Sequence, residues 1–587
     1  MTLVDNLPKN LLDATNRLAK DLEWGRRLPI YEYHKWWARR YSGIIRPFLI
    51  YNELDYNDLP GEYDPDEYVN DLYENYHLQK DRTLLDLFSG GGTIVFEGSK
   101  VGYSSHGIEL NDVAYWILNG PVAFNRADSM QDEIINVYND ISDIWETPCK
   151  NCGDQATVVH TFICWTDEDG EPQIKINEVK RSTDETTSHY YCEKCGTISV
   201  LNTETESCPE CGNEFGKDIG DIEFDHIFPY AEEYYCRSCG TREVQELSDS
   251  NETSFKGLEQ GYTRRLPGIP SLNETQRLKT NGFSSFDELF SNRQLKTFIT
   301  YLRHFEDTKF EELARITASD AVRSCSYLAQ YAPKYRKLTP GFAVKSYWTP
   351  AQTVELNPLS FRFTNDEVLF PIGRGNIVSV YRRLLRARDF SKREGYNFDN
   401  LHTYQGAAQH VIEQTPKEVD LVFTDPPYAD FQYYSDLSLL SMAVVDDDPR
   451  FEQNVNQLEK EEIVARTKDG IEDYLQLLEN VFRKAKSRLK PDGRMLITYH
   501  HSDPEIISDV LNVFSNLSFS LNAIYPVVGE SSGRLGNGGK KLHLDLLFVF
   551  QKSSSQRNNI HIVATDVCET EYDTRLVESI PKLAEEY

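Results

Sequence analysis

An apolar run that stops at two prolines constrains this chain more than any other feature. Residues 419–423 (VDLVF) have the composition of a buried strand, and Asp425, Pro426, Pro427 and Tyr428 follow it after one threonine. Proline has no backbone N–H and cannot continue a central strand, so the strand has to end there. In an open α/β sheet, ligands bind at the carboxyl ends of the strands. The sequence therefore predicts a carboxylate, proline-flanked carbonyl groups and an aromatic ring at a ligand-binding edge.

A glycine turn far upstream predicts the other side of the same kind of site. Residues 83–88 predict a strand, residues 89–93 (SGGGT) a turn, residues 94–101 a helix, and residues 105–110 a second strand that carries Glu109 near its end. Glycines let the backbone approach a ligand, and a helix N-terminus offers unpaired N–H groups. An acid at the end of the second strand can accept both hydroxyl groups of a ribose. The turn lacks the Lys-Ser/Thr of a P-loop, which argues against phosphate transfer.

Cysteine pairs indicate metal binding in the middle of the chain. Eight of the 11 cysteines form four Cys-x-x-Cys pairs, and a glycine follows each pair. Two such pairs can supply the four thiolates of a tetrahedral Zn²⁺ site, and a site filled by sulfur is structural. The simplest pairing is sequential, first with second and third with fourth, which gives two zinc ribbons; a crossed pairing stays open. The predicted ligands are Cys149, Cys152, Cys192, Cys195, Cys208, Cys211, Cys236 and Cys239.

The length and the charge of the chain limit the number of domains and the classes of ligand. A chain of 587 residues predicts roughly three or four domains. No apolar run reaches the ~18 residues of a membrane span, and residues 1–20 contain no apolar secretion core, so we expect a cytoplasmic protein without membrane contact. The net charge of −31 argues against nucleic acid. Binding depends on local charge, however, and residues 26–46 hold six Lys/Arg and one Glu, whereas residues 51–81 hold ten carboxylates and one Lys.

The two strand-turn segments are predicted to be halves of one Rossmann-like α/β sheet, separated by a large insertion. The predicted organisation is an N-terminal helical lip with the stretch HKWWARR (1–50), the first half of the sheet with the cofactor site (82–125), a zinc-ribbon insertion (146–245), a helical and mixed target-recognition region (246–400), the second, catalytic half of the sheet (401–552) and an acidic tail (553–587).

These motifs together resemble a known family. The chain resembles the S-adenosylmethionine-dependent amino methyltransferases that act on DNA bases, and more narrowly the zinc-ribbon-containing adenine-specific DNA methylases. The resemblance covers roughly residues 20–552. It rests on residues 86–93, 108–111 and 425–428, on the stretch 34–40 (HKWWARR), on the cysteine pairs, and on residues 489–493 followed by His500 and His501.

The resemblance implies a class I methyltransferase sheet, S-adenosylmethionine and two structural zinc ions as cofactors, and double-stranded DNA with a flipped base as partner. It also suggests a role in restriction-modification or phage defence, with possible partner proteins from a defence system. The residues expected to act in catalysis are Asp425, Pro426, Pro427 and Tyr428. The residues expected to contact the cofactor are Trp37, Asp86, Phe88, Ser89, Gly90, Gly92, Thr93, Glu109 and Leu110.

The chemistry expected of the proline-stopped strand is an amine clamp. Asp425 would accept one N–H of adenine N6, the carbonyl of Pro426 would accept the other, and Tyr428 would stack on the base. Two alternatives remain open from sequence: an amino methyltransferase acting on cytosine N4 or an RNA base, and a non-catalytic nucleic-acid-binding scaffold. Nucleoside mass analysis and S-adenosylmethionine binding would discriminate them. The recognition sequence and the oligomeric state are not predicted.

Overall fold

The computed structural model describes residues 2–587 except 26–27, 167–168, 170–177, 183–184, 193, 203–204, 216–223, 225, 248–254, 256–264, 341–346, 365–366, 430–432, 447, 466–469, 502, 530–542, 553–558, 567 and 569. The chain divides into two compact units. Unit 1 consists of Met1–Val122, Arg386–Ser435 and Asn456–Tyr587, and unit 2 of Ala123–Leu385 and Asp436–Val455.

The strands are, in chain order, β1 (Thr83–Asp86), β2 (Ser104–Glu109), β3 (Glu146–Pro148), β4 (Gln155–Thr166), β5 (Glu178–Arg181), β6 (Thr187–Tyr191), β7 (Ile198–Asn202), β8 (His226–Tyr235), β9 (Arg242–Glu246), β10 (Ala329–Ala332), β11 (Lys337–Pro340), β12 (Val354–Leu356), β13 (Phe361–Phe363), β14 (Leu369–Pro371), β15 (Leu401–Gln405), β16 (Val419–Thr424), β17 (Leu489–Tyr499), β18 (Ser520–Val528), β19 (Leu544–Gln551) and β20 (His561–Ile562). The α-helices are Lys9–Gly25, Ser42–Tyr51, Pro65–Asn75, Thr93–Val101, Asp112–Ala123, Gln131–Ile141, Gln276–Thr280, Asn292–Phe305, Glu311–Cys325, Ile377–Glu394, Ala408–Val411, Tyr434–Val445, Asp448–Glu461, Ile471–Arg488, Pro504–Asn516 and Glu571–Glu586.

Unit 1 is built on an eight-stranded sheet with the order β15-β2-β1-β16-β17-β19-β18-β20. The five strands from β15 to β17 are parallel, and β19 runs antiparallel to both of its neighbours. The chain moves outward from β1 through β2 to β15 and then returns to β16 on the other side of β1. The strand order therefore reverses between β1 and β16, which is where open α/β sheets bind ligands. The predicted Rossmann-like α/β class, split by a large insertion, is confirmed.

Burial explains why these segments form the sheet. Every residue of Val419–Thr424 is buried, as expected for a central parallel strand covered on both faces. Helix Ser42–Tyr51 is buried along its whole length and joins the core of unit 1 through Phe48. Residues 1–50 were predicted as a lip, but their helices contribute directly to this core, because their apolar residues pack on the sheet. None of the helices described is long and apolar enough to cross a membrane.

The prediction that residues 553–587 form a separate acidic tail is wrong. Within it, β20 pairs with β18, and helix Glu571–Glu586 buries Leu576, Ile580 and Leu583 in the core of unit 1. Acidic residues on the exposed face of this amphipathic helix produce the tail-like composition, whereas its apolar stripe decides where it packs.

Unit 2 contains a sheet with the order β12-β4-β8-β9, and β3 pairs with β4. A separate three-stranded sheet, β5-β6-β7, and the hairpins β10-β11 and β13-β14 complete its strands as described. The predicted division into a zinc block (146–245) and a recognition region (246–400) is not observed, because both fall mainly in this one unit. Residues 386–400, predicted as part of the recognition region, belong to unit 1. Residues 436–455, predicted as part of the catalytic half, belong to unit 2.

Candidate functional site

A cavity opens in unit 1 at the carboxyl ends of β1 and β16, where the strand order reverses. Three parts of unit 1 line it: the N-terminal segment with Trp36 and Arg40, the glycine turn with residues 108–111, and the segment Asp425 to Tyr428. Residues 406–409, Tyr434, Leu458 and residues 461–463 line it as well. Strand order brings the glycine turn and the segment Asp425 to Tyr428 together, because the carboxyl ends of parallel strands share one edge.

Asp425 lies at the centre of a hydrogen-bond network at this edge. Its Oδ1 accepts from the hydroxyl groups of Tyr428 (2.6 Å) and Thr498 (2.7 Å), and its Oδ2 accepts from Nε of Arg40 (2.8 Å). Burial raises the pKa of Asp425 to about 6, with Arg40 opposing this shift and the nearby Asp545 adding to it. A carboxylate offers about four acceptor positions. Three are filled, so one remains for a ligand.

The two proline carbonyl groups differ in their partners. The carbonyl of Pro427 accepts a hydrogen bond from the hydroxyl of Tyr474 (2.7 Å). No hydrogen bond to the carbonyl of Pro426 is found among the residues that the structure describes. Ala429, two residues beyond Pro427, has φ +46°. A non-glycine residue adopts this left-handed conformation only when its surroundings impose it. The left-handed residue indicates a strained turn, and Pro426 at this turn lines the cavity.

The glycine turn is in contact with the HKWWARR stretch. Gly90 has φ +48°, and a Cβ at this position would lie 2.8 Å from Nε1 of Trp36. A Cβ on Gly91 would lie 2.9 Å from the guanidinium of Arg39, whose Nη1 donates to the Gly91 carbonyl (2.7 Å). The glycines thus serve a packing role: they let a tryptophan and an arginine from the N-terminal segment approach the turn. This contact defines the shape of the cavity on the β1 side.

Two acids support the turn, the half-buried Glu109 and the fully buried Asp86. Glu109 accepts from the backbone N–H groups of Gly90 (2.7 Å) and Asn111 (2.8 Å), and burial raises its pKa to about 7. Asp86 accepts from Oγ1 of Thr424 (2.7 Å), and burial raises its pKa to about 7 as well. Its Oδ2 is buried with no hydrogen-bond partner among the residues described. The Glu109 carboxylate is held mainly by backbone N–H groups, and Glu109 lines the cavity.

The predicted catalytic residues Asp425, Pro426, Pro427 and Tyr428 all line this cavity, and so do six of the predicted cofactor contacts: Phe88, Ser89, Gly90, Thr93, Glu109 and Leu110. Asp86 and Gly92 do not line it; Asp86 is fully buried beneath the turn, and Gly92 is the left-handed residue before helix Thr93–Val101. Trp37 does not line the cavity, whereas its neighbour Trp36 does; both side chains are buried, with 3% and 5% of their surface exposed.

Sequence reasoning missed several residues of the site. Asp545 contacts Arg40 and His500 at the same edge, and Trp36 stacks on Tyr434 with ring centroids 5.6 Å apart. A single acid inside the apolar run 544–550 was the available signal for Asp545, because a lone carboxylate in a buried strand needs a partner. Nothing in the local pattern distinguishes Tyr434 from an ordinary helical tyrosine.

The charge of the cavity is mainly negative. Its acids are Glu109, Asp425, Glu461 and Glu462, and Arg40 is the one Lys or Arg among the described residues that line it. Arg40 is itself engaged by two carboxylates. Such a lining favours a ligand with positive charge and disfavours the phosphate groups of a dinucleotide or a nucleoside triphosphate.

Unit 2 contains two clusters of four cysteines. Within each cluster the sulfur atoms lie within 4.8 Å of one another, and the measured Sγ–Sγ distances include 3.7 Å for Cys149–Cys239 and 3.5 Å for Cys192–Cys211. A tetrahedral zinc site with Zn–S bonds of about 2.3 Å requires a separation of roughly 3.8 Å. The glycines after each pair have positive φ, from +68° to +80°, as a tight knuckle needs. The residues therefore fit a tetrahedral metal ion.

The sequential pairing of the cysteines is wrong. The clusters are Cys149, Cys152, Cys236 and Cys239, and Cys192, Cys195, Cys208 and Cys211, so one site is nested inside the other along the chain. The cause is the antiparallel pairing of β4 with β8, in which Thr157 lies opposite Tyr235. This pairing brings the knuckle before β4 next to the knuckle after β8.

No protein-family model matches the chain, and no curated protein matches it significantly. Among solved structures, TrmN from Thermus thermophilus aligns over 29% of this chain and 34% of its own, with 17% identity and a TM-score of 0.17. A predicted O-methyltransferase from Agrobacterium tumefaciens aligns over 35% and 73%, with 13% identity and a TM-score of 0.18. An rRNA methylase from Streptococcus thermophilus aligns over 30% and 71%, with 11% identity and a TM-score of 0.14. The chain spans only about a third of TrmN, and the fold assignment rests on the strand order of the sheet.

Proposed function

We propose that this protein transfers a methyl group from S-adenosylmethionine to an exocyclic amine of a nucleobase, specifically N6 of adenine in DNA. The observation that carries the proposal is the shared cavity at the strand-order reversal. An amine clamp, Asp425 with the Pro426 carbonyl, lines the same cavity as a glycine turn with the acid Glu109. A Rossmann oxidoreductase would explain the second feature but not the first.

The negative charge of the cavity lining also supports S-adenosylmethionine as the cofactor. S-adenosylmethionine carries a sulfonium and an ammonium group and no phosphate, and when bound it supplies an electrophilic methyl group. The Glu109 carboxylate, which lines the cavity, suits ribose hydroxyl groups as donors, and the acids Glu461 and Glu462 add negative potential for a cation. Trp36 and Tyr434 offer aromatic surface on the cavity wall.

The amine clamp has the acceptors that the reaction needs. The nitrogen lone pair of an aminopurine is delocalised into the ring, so the free amine is a poor nucleophile. The remaining acceptor position of Asp425 and the carbonyl of Pro426 can accept hydrogen bonds from its two N–H groups, which favours a pyramidal nitrogen. Transfer breaks the sulfur–methyl bond, leaves a neutral thioether, and releases one N–H proton, which the Asp425 carboxylate can accept. Tyr428 donates its hydroxyl to Asp425, and the Arg40 guanidinium lies 5.1 Å from the centroid of its ring. This arrangement favours an orienting role for Tyr428 in addition to the predicted stacking.

Three wider features belong to the proposal. Zinc is the ion that the two four-cysteine clusters would hold, in a structural role. The DNA would present its base flipped out of the duplex, at a cost of about a few kcal/mol. Target recognition by unit 2 and a role in restriction-modification or phage defence remain predictions.

The proposal predicts that Glu109→Gln weakens S-adenosylmethionine binding roughly 10- to 100-fold, since hydrogen bonds to a charged acceptor are worth about 1.5–3 kcal/mol. The measurement is isothermal titration calorimetry of purified protein with the cofactor, at a pH above the Glu109 pKa of about 7 so that the carboxylate is ionised. Glu413→Gln is the control, because Glu413 is an exposed carboxylate that pairs with Arg488 and does not line the cavity. Equal affinity in Glu109→Gln and wild type would contradict the placement of the cofactor.

The deciding experiment for the whole function is nucleoside mass analysis of DNA and RNA from a host that expresses the protein. We expect N6-methyladenine in DNA. N4-methylcytosine, or a methylated base in RNA alone, would keep methyl transfer and replace the substrate. If no methylated base is found although the protein binds S-adenosylmethionine, the catalytic proposal fails.

A further inference from the structure

The strongest unassigned feature is a chain of ionic contacts behind the amine clamp. Arg40 donates from Nε to Oδ2 of Asp425 at 2.8 Å, and its Nη1 donates to Asp545. Its side chain is 9% exposed, and the guanidinium lies over the ring of Tyr428. A guanidinium that bridges two carboxylates and stacks on an aromatic ring has its position fixed in all directions.

Asp545 is in turn held from two sides. His500 Nδ1 lies 2.6 Å from Asp545 Oδ1, and the side chain of Asp545 is 1% exposed. A Cβ on Gly529 would come within 2.4 Å of this carboxylate, so only a glycine leaves room for it. Because β19 runs antiparallel to β17, the start of β19 lies beside the end of β17, and Asp545 meets His500 at the ligand-binding edge.

We propose that Arg40 is a positioning residue for the methyl-transfer reaction: it holds the Asp425 carboxylate ionised and oriented toward the substrate amine, and Asp545 with His500 holds Arg40. This inference rests on the proposed function. The two arginines of the HKWWARR stretch then have different roles. Arg40 acts on the substrate side of the cavity, whereas Arg39 contacts the glycine turn.

Asp425 needs a cation beside it because its carboxylate is buried. A buried carboxylate is less stable as an anion, and an opposite charge within ~4–6 Å favours the ionised form by about 1–3 pKa units. Only the ionised carboxylate offers all its lone pairs to N–H donors. The charged or titratable groups around Asp425 are Arg40 from the N-terminal segment, Asp86 at the end of β1, Tyr428, Tyr474 from its helix, Tyr499 and His500 at the end of β17, and Asp545 from β19.

Two substitutions should move the pH dependence of the reaction in opposite directions. Methyl transfer is lost as the pH falls through the pKa of Asp425, which lies at about 6. Arg40→Gln removes the group that lowers this pKa, so the acidic limb of kcat should move to higher pH by about 1 unit or more. Asp545→Asn removes the charge that raises this pKa but keeps a side-chain oxygen that can accept from Arg40 and hold it, so the limb should move to lower pH. A residue with a merely structural role would not produce opposite shifts.

The experiment measures kcat of the full-length protein against pH at saturating S-adenosylmethionine and DNA, after thermal melts of each variant. Arg494→Gln is the matched control. Arg494, in the middle of β17, also pairs with an aspartate, Asp5, at 2.8 Å, and it does not line the cavity. We expect the wild-type pH profile from this control. Parallel shifts, or no shift, in Arg40→Gln and Asp545→Asn would overturn the inference.

A second readout separates this inference from the proposed function. Carboxyl-¹³C NMR of protein labelled at aspartate reports the titration of Asp425 without any reaction, with its signal identified by loss in Asp425→Asn. The inference expects the titration midpoint to rise in Arg40→Gln and to fall in Asp545→Asn, even if the wild type methylates nothing. Unchanged midpoints in an active enzyme would refute the role of Arg40 alone, whereas shifted midpoints in an inactive wild type would refute only the methyl-transfer proposal.

Discussion

Replacing Asp425 with alanine should lower the rate of methyl transfer by at least ~100- to 1000-fold and leave S-adenosylmethionine affinity unchanged. Losing one preorganised group that contacts the reacting atoms typically has an effect of this size. The affinity should persist because Glu109 and the glycine turn, not Asp425, are proposed to hold the cofactor. The measurement pairs transfer of a labelled methyl group to DNA with equilibrium binding of the cofactor.

The fold should tolerate this change, because Arg40 keeps Asp545 as a partner when Asp425 is removed. Asp420→Asn is the matched control. Asp420 lies on β16, the strand that ends just before Asp425, and its carboxylate pairs with Arg82 and Lys490. It does not line the cavity. We expect wild-type turnover in this control. Wild-type turnover in Asp425→Ala would show that the amine is not held where we propose.

The second large effect concerns the metal sites. Wild-type protein should contain two zinc ions per chain. Replacing the outer two knuckles, Cys149 with Cys152 and Cys236 with Cys239, by serine should leave one ion, whereas replacing the first two knuckles, Cys149 with Cys152 and Cys192 with Cys195, should leave none. Sequential pairing would give the reverse result. Elemental analysis of the purified variants makes the comparison.

Loss of a site should also destabilise unit 2, since binding of a structural zinc ion contributes about 10–16 kcal/mol of apparent folding free energy in small domains. The single replacement Cys164→Ser is the control, because Cys164 belongs to neither cluster. It should retain both ions. Retention of two ions in either knuckle variant would contradict the assignment of the clusters as metal ligands.

The sequence determined by itself the features that depend on neighbouring residues. Two prolines end a strand wherever that strand lies, so the position of Asp425 at a strand end was predictable. The glycine turn and Glu109 follow from the strand-turn-helix pattern of residues 83–110 in the same way. The Cys-x-x-Cys spacing with a following glycine is enough to predict four metal-binding knuckles. Together these local patterns sufficed for the α/β class and for the four catalytic candidates and six cofactor candidates that line the cavity.

Only the tertiary structure decided which of these pieces meet. The four knuckles are chemically equivalent, and the antiparallel register of β4 and β8 selects their nested pairing. In the irregular segment before Ser42, no periodicity tells which tryptophan faces the cavity, and packing on Gly90 selects Trp36. Asp545 and Arg40 are 505 residues apart and meet because β19 reverses direction beside β17. Local sterics fix where a strand stops, whereas strand order and register, which arise from the whole core, fix the partners of Asp425.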